Sequence, residues 1–278
     1  MQIRALTWNL YHGRDFPPDP SLHTKRSRLL RITERNETHL QVNRSLFAAF
    51  ADLITSASWD VALLQEFPPR WASRLAERSD AEAHRVLTSR NSFAPLRRLG
   101  ALLNPDLIGS DEGGSNLTLV RRRTAAIVER RDLVIRPGPN PERRTMAFTR
   151  LRLAEPAGHE LCVANLHASA GAPMRTFAEE EALLAAERSV EWAGDAPLIL
   201  GGDLNLRPAE TDVYERLAGR FGLRGPTAPD SLDHLLARGL ETLEAPHAWA
   251  PERRELREGR LAIRLSDHAP VEARFQTG

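Results

Sequence analysis

Two stretches of the chain share one grammar, and that grammar restricts the fold more than any other feature. In the first, the run "IRALTWNLYH" is followed by "NRSLFAAFADLI" and then by "DVALLQEF". Leu46, Phe50, Leu53 and Ile54 recur at i, i+4, i+7 and i+8, one apolar stripe at helical spacing between two runs of strand length. The second stretch is "ELCVANLHAS", a helical pattern from about Met174 to Ala193, and "PLILGGDLN". Its stripe is Leu183, Ala186, Val190 and Ala193, and Gly194 stands where a chain leaving a helix turns left-handed. The first strands end in Asn-Leu-x-His or Asn-Leu-His, and the second strands end on an acid, Glu66 or Asp203. A strand–helix–strand unit used twice predicts two related halves, each a sheet with helices on one side.

Between these units, "SNLTLVRRR", "TAAIVERRDLVIR", "RRTMAFTRLRL" and "HELCVAN" read as antiparallel strands, the last three separated by the turns "PGPNP" and "EPAG". "TDVYERLAGRFGL" predicts a third helix with Val213, Leu217 and Phe221 on one face, and "HAPVEARF" a last strand. Two segments, Arg14 to Gln41 and Ser89 to Gly114, are too long for ordinary connectors and are expected to form a substrate rim or surface decoration. No linker or low-complexity tract divides the chain. One domain over residues 1–278 is expected, with 41% hydrophobic residues to fill its core.

The net charge of +1 conceals two halves of opposite sign: residues 1–150 hold 24 Lys+Arg against 16 Asp+Glu, and residues 151–278 hold 14 against 21. That balance does not describe a chain built for tight non-specific DNA binding, yet it allows a local basic wall. Lys25 is the only lysine. Arginine suits bidentate phosphate contacts, although a skewed base composition in the source genome gives the same preference. Cys162, the only cysteine, lies in an apolar run, so a disulfide within the chain is excluded and a buried thiol in a reducing compartment is expected. With no basic-then-apolar leader and no run long enough to cross a membrane, a cytoplasmic location is expected, with no obligate protein partner.

Polar residues collect where the apolar runs stop: Asn9, Glu66, His167, Asp203 with Asn205, Asp233, and Asp267 with His268. In "GGDLN" the glycines let a backbone or a ligand come close, and Asp203 and Asn205, two apart on an extended chain, point to one side. A carboxylate and an amide so placed can fix a water or a metal-bound oxygen. Each residue also has an ordinary structural explanation. Asp203 and Asn205 favour turns, Asn9 can close a strand, and Glu66 before "FPP" can be a solvated edge. His167 can be a satisfied core histidine, Asp233 the cap of a short helix over "LDHLLARG", and "SDHAP" a turn before a proline.

Taken in order, "WNL", "QE", "NLHAS", "GGDLN", "SLDH" and "SDHAP" resemble the endonuclease/exonuclease/phosphatase superfamily, over essentially the whole chain from Asn9 to His268. The combination is specific for the superfamily and for no single substrate. The resemblance implies an α+β fold, a four-layered α/β/β/α sandwich of two mixed sheets flanked by helices, with the site at one end where both sheets converge. It implies Glu66 as the principal Mg²⁺ ligand, with Mn²⁺ as a substitute, Asn9 as a neighbouring ligand and Asp267 beside the metal. Asp203 then accepts a proton from the attacking water and Asn205 orients that water or a phosphate oxygen, while His268, bonded to Asp233, stabilises charge building on phosphorus. His167 resembles a histidine of the deoxyribonuclease and sphingomyelinase branches, a proton donor or phosphate contact whose carboxylate partner the sequence does not single out. Asn116 in "GGSNLTLV" matches a family asparagine near the phosphate. His234 reads as packing. His12 and Arg14 follow the N-terminal motif directly and are expected to have ordinary loop roles, with a reach into the site as the alternative; Arg143 and Arg144 read equally as phosphate-facing or as a solvated strand end.

The expected activity is Mg²⁺-dependent hydrolysis of a phosphoester by in-line attack of water, a phosphodiester first and DNA or RNA as the first substrate class. A lipid head group or small phosphorylated metabolite is the alternative substrate. A binding module on the same fold, without turnover, is the second alternative.

Overall fold

Each repeated unit folds as two parallel strands joined through a helix. In the first, Gln2–Asn9 pairs with Val61–Gln65 and Asn9 lies opposite Gln65. In the second, Glu160–His167 pairs with Leu198–Asp203 and His167 lies opposite Asp203. The structure is a computed structural model describing residues 1–30, 32–42, 44–88, 114–138, 143–155 and 158–278. The expected rim from 89 to 113 lies outside those residues, as do parts of the turns "PGPNP" and "EPAG".

Antiparallel neighbours complete both sheets, which are therefore mixed. The first sheet runs Glu241–Ala248, Val271–Gln276, Gln2–Asn9, Val61–Gln65, Ser115–Arg121, Ala81–Leu87 from edge to edge. The second runs Asp233–Arg238, Leu198–Asp203, Glu160–His167, Arg144–Leu153, Ala125–Arg136. The sheets face each other across an apolar layer that includes Ile3, Leu63, Val163, Ile199 and Phe275. Trp8 and Leu64 on the outer face of the first sheet meet Phe50 and Ile54 of the helix Phe47–Ser56 and Leu75 of the helix Ala72–Arg78. Phe148 and Leu200 on the outer face of the second meet the helices Arg175–Ala193 and Val213–Phe221. The layers are α/β/β/α, as the resemblance implied.

Physical detail differs from the sequence reading in several places. The helix Arg175–Ala193 buries Ala178, Ala182, Ala185 and Ala186, while Leu183 and Val190 sit half-buried at the margin. Small side chains on the contact face bring its axis close to the sheet. "LDHLLARG" is not a helix but the strand Asp233–Arg238. Leu235 enters the layer between the sheets and Leu236 the outer core, an alternation that a strand satisfies and a helix does not. Three further pieces carry too many charges to read as strands: Ala81–Leu87, Glu241–Ala248 and the hairpin Glu255–Glu258/Leu261–Arg264. The segment from 14 to 41 forms short turns, the helix Lys25–Leu30 and a two-stranded ribbon, and it bridges to Leu265 and Ala262 beside the "SDHAP" motif. No described helix is long and apolar enough to cross a membrane.

Candidate active site

Strand register builds the site. Asp203 has His167 opposite it on one neighbouring strand and Asp233 opposite it on the other, so one rung of the second sheet carries all three. Side chains on one rung share a face, and His167 Nε2 stands 3.5 Å from Asp203 Oδ2. The first sheet ends at the same rim with the rung Asn9–Gln65, one residue short of Glu66. Asn9 joins the two sheets, its amide donating to Asp203 Oδ2 at 2.9 Å. His268 completes the group. Its Nδ1 donates to Asp233 Oδ2 at 2.6 Å and its Nε2 faces Asp203 Oδ2 at 3.8 Å. Glu66 lies 3.8 Å from His167 Nε2 and 3.2 Å from His12 Nε2.

The approach of the strands explains the two glycines. Gly202 has φ +136°, and a Cβ there would lie 1.8 Å from the Leu166 carbonyl oxygen. Only glycine lets His167 and Asp203 reach one rung. Backbone strain gathers at the same place. Of the six described non-glycine residues with positive φ, five are Tyr11, His12, Glu66, Asn205 and Ser266, all in the turns that close this rim. Strained conformations of this kind persist where surrounding contacts over-determine them. Those contacts are visible around Ser266 and His268. Ser266 Oγ donates to the Asn9 carbonyl at 2.6 Å, and Trp8 Nε1 donates to the His268 carbonyl at 2.9 Å. The buried Arg254 extends Nη1 to the carbonyls of Leu265, Ser266 and His268 at 3.1, 2.6 and 2.9 Å.

Charge is distributed unevenly over the four central groups. Burial drives the Asp203 carboxyl up to about 6, against the pull of His268. Burial also raises Glu66, with Asp203 and Asp267 adding to it and His12 opposing. Burial holds His167 well below the usual imidazole range, helped by Arg144 and His268, so that ring is neutral. His268 goes the other way: burial opposes its charge, but Asp233 and Asp203 overcome burial and hold it well above the usual range. Asp203, Asp233 and His268 also form a group whose ligand atoms all lie within 4.8 Å of one another. Within that trio His268 Nδ1 is already bonded to Asp233 Oδ2.

The family model described as "Endonuclease/Exonuclease/phosphatase family" matches residues 6–268. The chain belongs to that family. Its members are phosphoester hydrolases, and they generally depend on a divalent metal. A search of curated proteins found no match. Among solved structures, an endonuclease/exonuclease/phosphatase family protein from Bacteroides thetaiotaomicron is 16% identical, with 100% of this chain and 98% of that one covered at a TM-score of 0.68. The mannosyl-6-phosphatase of Bacteroides thetaiotaomicron VPI-5482 is 16% identical, with 99% of each chain covered at a TM-score of 0.67. The catalytic domain of human Nocturnin, with bound sulfate, is 15% identical, with 100% and 95% covered at a TM-score of 0.68. At such identities the likeness is one of fold.

The structure gathers Asn9, Glu66, His167, Asp203, Asp233 and His268 at one rim, and Asp267 and Asn205 border them. Ser266 Oγ reaches Asp267 Oδ1 at 3.3 Å, while the Asn205 amide donates to the Ala168 carbonyl at 3.1 Å. Asn116 is deeper. It is fully buried between the sheets, donating to the Thr145 and Asn165 carbonyls at 2.9 and 3.4 Å, and its Oδ1 has no partner among the described residues. The carboxylates that face His167 Nε2 are Asp203 and Glu66, at 3.5 and 3.8 Å. His12 lies against Glu66, and Arg144 is buried beside His167 with its Nε unpartnered among the described residues. Arg254 carried no signal in the sequence, since it belongs to an arginine-rich stretch with no motif. His234 is packed: it accepts from Thr227 N–H and donates to the Leu206 and Ser231 carbonyls.

Proposed function

We propose that the chain hydrolyses a phosphodiester by direct attack of water, with nucleic acid as substrate class and Mg²⁺, or Mn²⁺ in its place, as cofactor. The reading is carried by the unbroken path of ionisable side chains from Glu66 through His167 and Asp203 to His268 and Asp233, with contacts of 3.8, 3.5, 3.8 and 2.6 Å. The residues present fit a divalent cation. Glu66 is a hard oxygen donor raised by burial and by two more carboxylates, an excess of negative charge that a cation offsets. Glu66, Asn9 and Asp267 would hold it, and when bound it would screen the phosphate and stabilise the leaving oxygen.

The chain's own groups divide the remaining work. Asp203, with its pKa lifted toward neutrality by burial, accepts the proton of the attacking water, and Asn205 beside it orients that water. His268, held as imidazolium by Asp233, donates to a phosphoryl oxygen as negative charge develops there. His167, neutral and between Glu66 and Asp203, presents an N–H to the phosphate. Arg144 supplies a second donor from beside it. The surplus of arginine in residues 1–150 supports a polyanionic substrate.

A cavity of about 220 Å³ next to His268, lined by Arg207, Asp230 and Ser231 among others, favours a second reading in which the substrate is a small phosphorylated metabolite. One comparison separates them: nicking of supercoiled plasmid against release of inorganic phosphate from monoesters, both with Mg²⁺. Nicking that EDTA and His268→Ala abolish is the expected result. Phosphate release without nicking selects the metabolite, and no turnover of either, nor of bis-(p-nitrophenyl) phosphate, leaves a binding module.

A further inference from the structure

The turn after the first strand does more than leave the sheet. Beyond Asn9 the chain takes left-handed φ values at Tyr11, His12 and Gly13, of 48°, 54° and 76°. Three hydrogen bonds pin it: Leu10 N–H to the Gln65 carbonyl at 2.9 Å, Tyr11 N–H to Asn9 Oδ1 at 2.9 Å, and His12 N–H to the Glu66 carbonyl at 3.1 Å. Gly13 lies so close to the Trp71 ring that a Cβ would come within 2.1 Å of it. The result is that the His12 imidazole folds back over Glu66, Nε2 to Oε2 at 3.2 Å.

We infer that His12 is a nitrogen ligand of the cation held by Glu66, and that it biases the site toward a borderline divalent transition ion such as Mn²⁺ over Mg²⁺. The inference rests on the metal-dependent reading of the function given above. Two ligand atoms in adjacent positions on one ion, with bonds of about 2.1 Å, stand roughly 3 Å apart. The separation of His12 Nε2 from Glu66 Oε2 matches that spacing. The neighbouring donors, Glu66, Asp267 and Asn9, are oxygens, and an oxygen set alone suits Mg²⁺. Adding imidazole changes the preference, since nitrogen ligands suit first-row transition ions and Mg²⁺ gains little from them.

The test uses the full chain with Mn²⁺ as the probe, in solution and without substrate. Electron spin-echo modulation of bound Mn²⁺ is expected to show a directly coordinated nitrogen. That signal is expected to vanish in His12→Asn and persist in His167→Gln, the other imidazole near Glu66. Asparagine is the chosen replacement because it tolerates the left-handed backbone and keeps the turn. By competition titration, His12→Asn should lower the ratio of Mn²⁺ to Mg²⁺ affinity roughly tenfold or more. Bound Mn²⁺ without a coordinated nitrogen, or with one that survives His12→Asn, overturns this inference and leaves the proposed function standing. Failure of the wild-type chain to bind either ion removes both.

Discussion

Asp233 has one partnered oxygen. Its Oδ2 accepts from His268 Nδ1, while Oδ1 is buried with no partner among the described residues, so the carboxylate acts chiefly through that ring. Because Asp233 and Asp203 raise the His268 pKa, the imidazolium persists until the pH rises through the raised value, and activity should fall on that alkaline side. Asp233→Asn removes one attracting charge. The alkaline limb of kcat should move to lower pH, and the plateau should drop by roughly 10²–10³-fold, the scale of losing an oriented charge stabiliser. A pH–rate profile whose alkaline limb stays in place would refute this account. His234 offers the opposite sign in stability. Burial lowers its pKa from 6.5 to about 4, because a charged ring there would be cut off from water, against the smaller pull of the Leu206 and Ser231 carbonyls and Asp233. The unfolded chain therefore takes the proton first, so stability is intact above pH 6.5 and erodes as pH falls toward 4, by on the order of 3 kcal/mol. Urea titrations should show a shallower acid decline in His234→Asn than in the wild type, although the variant starts lower at pH 7. The two histidines are adjacent to aspartates in the sequence in the same way, "DH" in both cases, and only the fold tells the packed one from the charged one.

At the scale of elements, what was legible is what carries apolar periodicity. The parallel strand pairs and their helices follow from runs such as "VALLQ" and "LILGGD", because strands covered on both faces must be apolar throughout. Edge pieces escape that rule. Ala81–Leu87 closes the first sheet on one side and Glu241–Ala248 on the other, and their exposed faces take charged residues that mimic a loop. The site shows the same division. Its acids and histidines were readable because they interrupt apolar strands, whereas Arg254 works from the short helical turn Pro251–Arg254 through backbone carbonyls that have no sequence signature. Burial lowers its pKa to about 10, and its one nitrogen still gathers three carbonyls of the turn that carries His268. Arg254→Met should leave the Leu265 and Ser266 carbonyls without that buried donor, while the His268 carbonyl keeps Trp8 Nε1, destabilising the chain by about 1–3 kcal/mol. It should also lower kcat more than it raises KM, because the turn positions His268 without touching substrate. Arg254→Lys is expected to recover part of kcat. Equal rates in the Met and Lys variants would mean that the arginine serves stability alone.

The whole molecule is two sheets whose facing layer is apolar over most of its depth and becomes polar toward one rim. Gln65 reaches Asn165 across the gap at 2.8 Å, and Asn9 reaches Asp203 at 2.9 Å, so the sheets are tied by amides just behind a group of carboxylates. Those carboxylates repel. Burial raises Glu66, and Asp203 and Asp267 add to it, which means that the unliganded rim is held together against its own charge. On the proposed reading, a cation held by Glu66 and Asn9 of the first sheet, next to Asp203 of the second, would remove that repulsion in the folded state and would find no such site in the unfolded chain. Binding then appears as stability: at a hundredfold excess over the dissociation constant it contributes about 2.7 kcal/mol. For a chain of this length that corresponds to a rise in Tm of roughly 5 °C. Scanning calorimetry with and without Mg²⁺ should show the shift, EDTA should reverse it, and Glu66→Gln should abolish it while raising the metal-free Tm, since a buried neutral amide no longer repels Asp203 and Asp267. A metal-induced shift of the same size in Glu66→Gln would place the ion elsewhere on the molecule, and a lower metal-free Tm in that variant would show that Glu66 stabilises the rim without a cation.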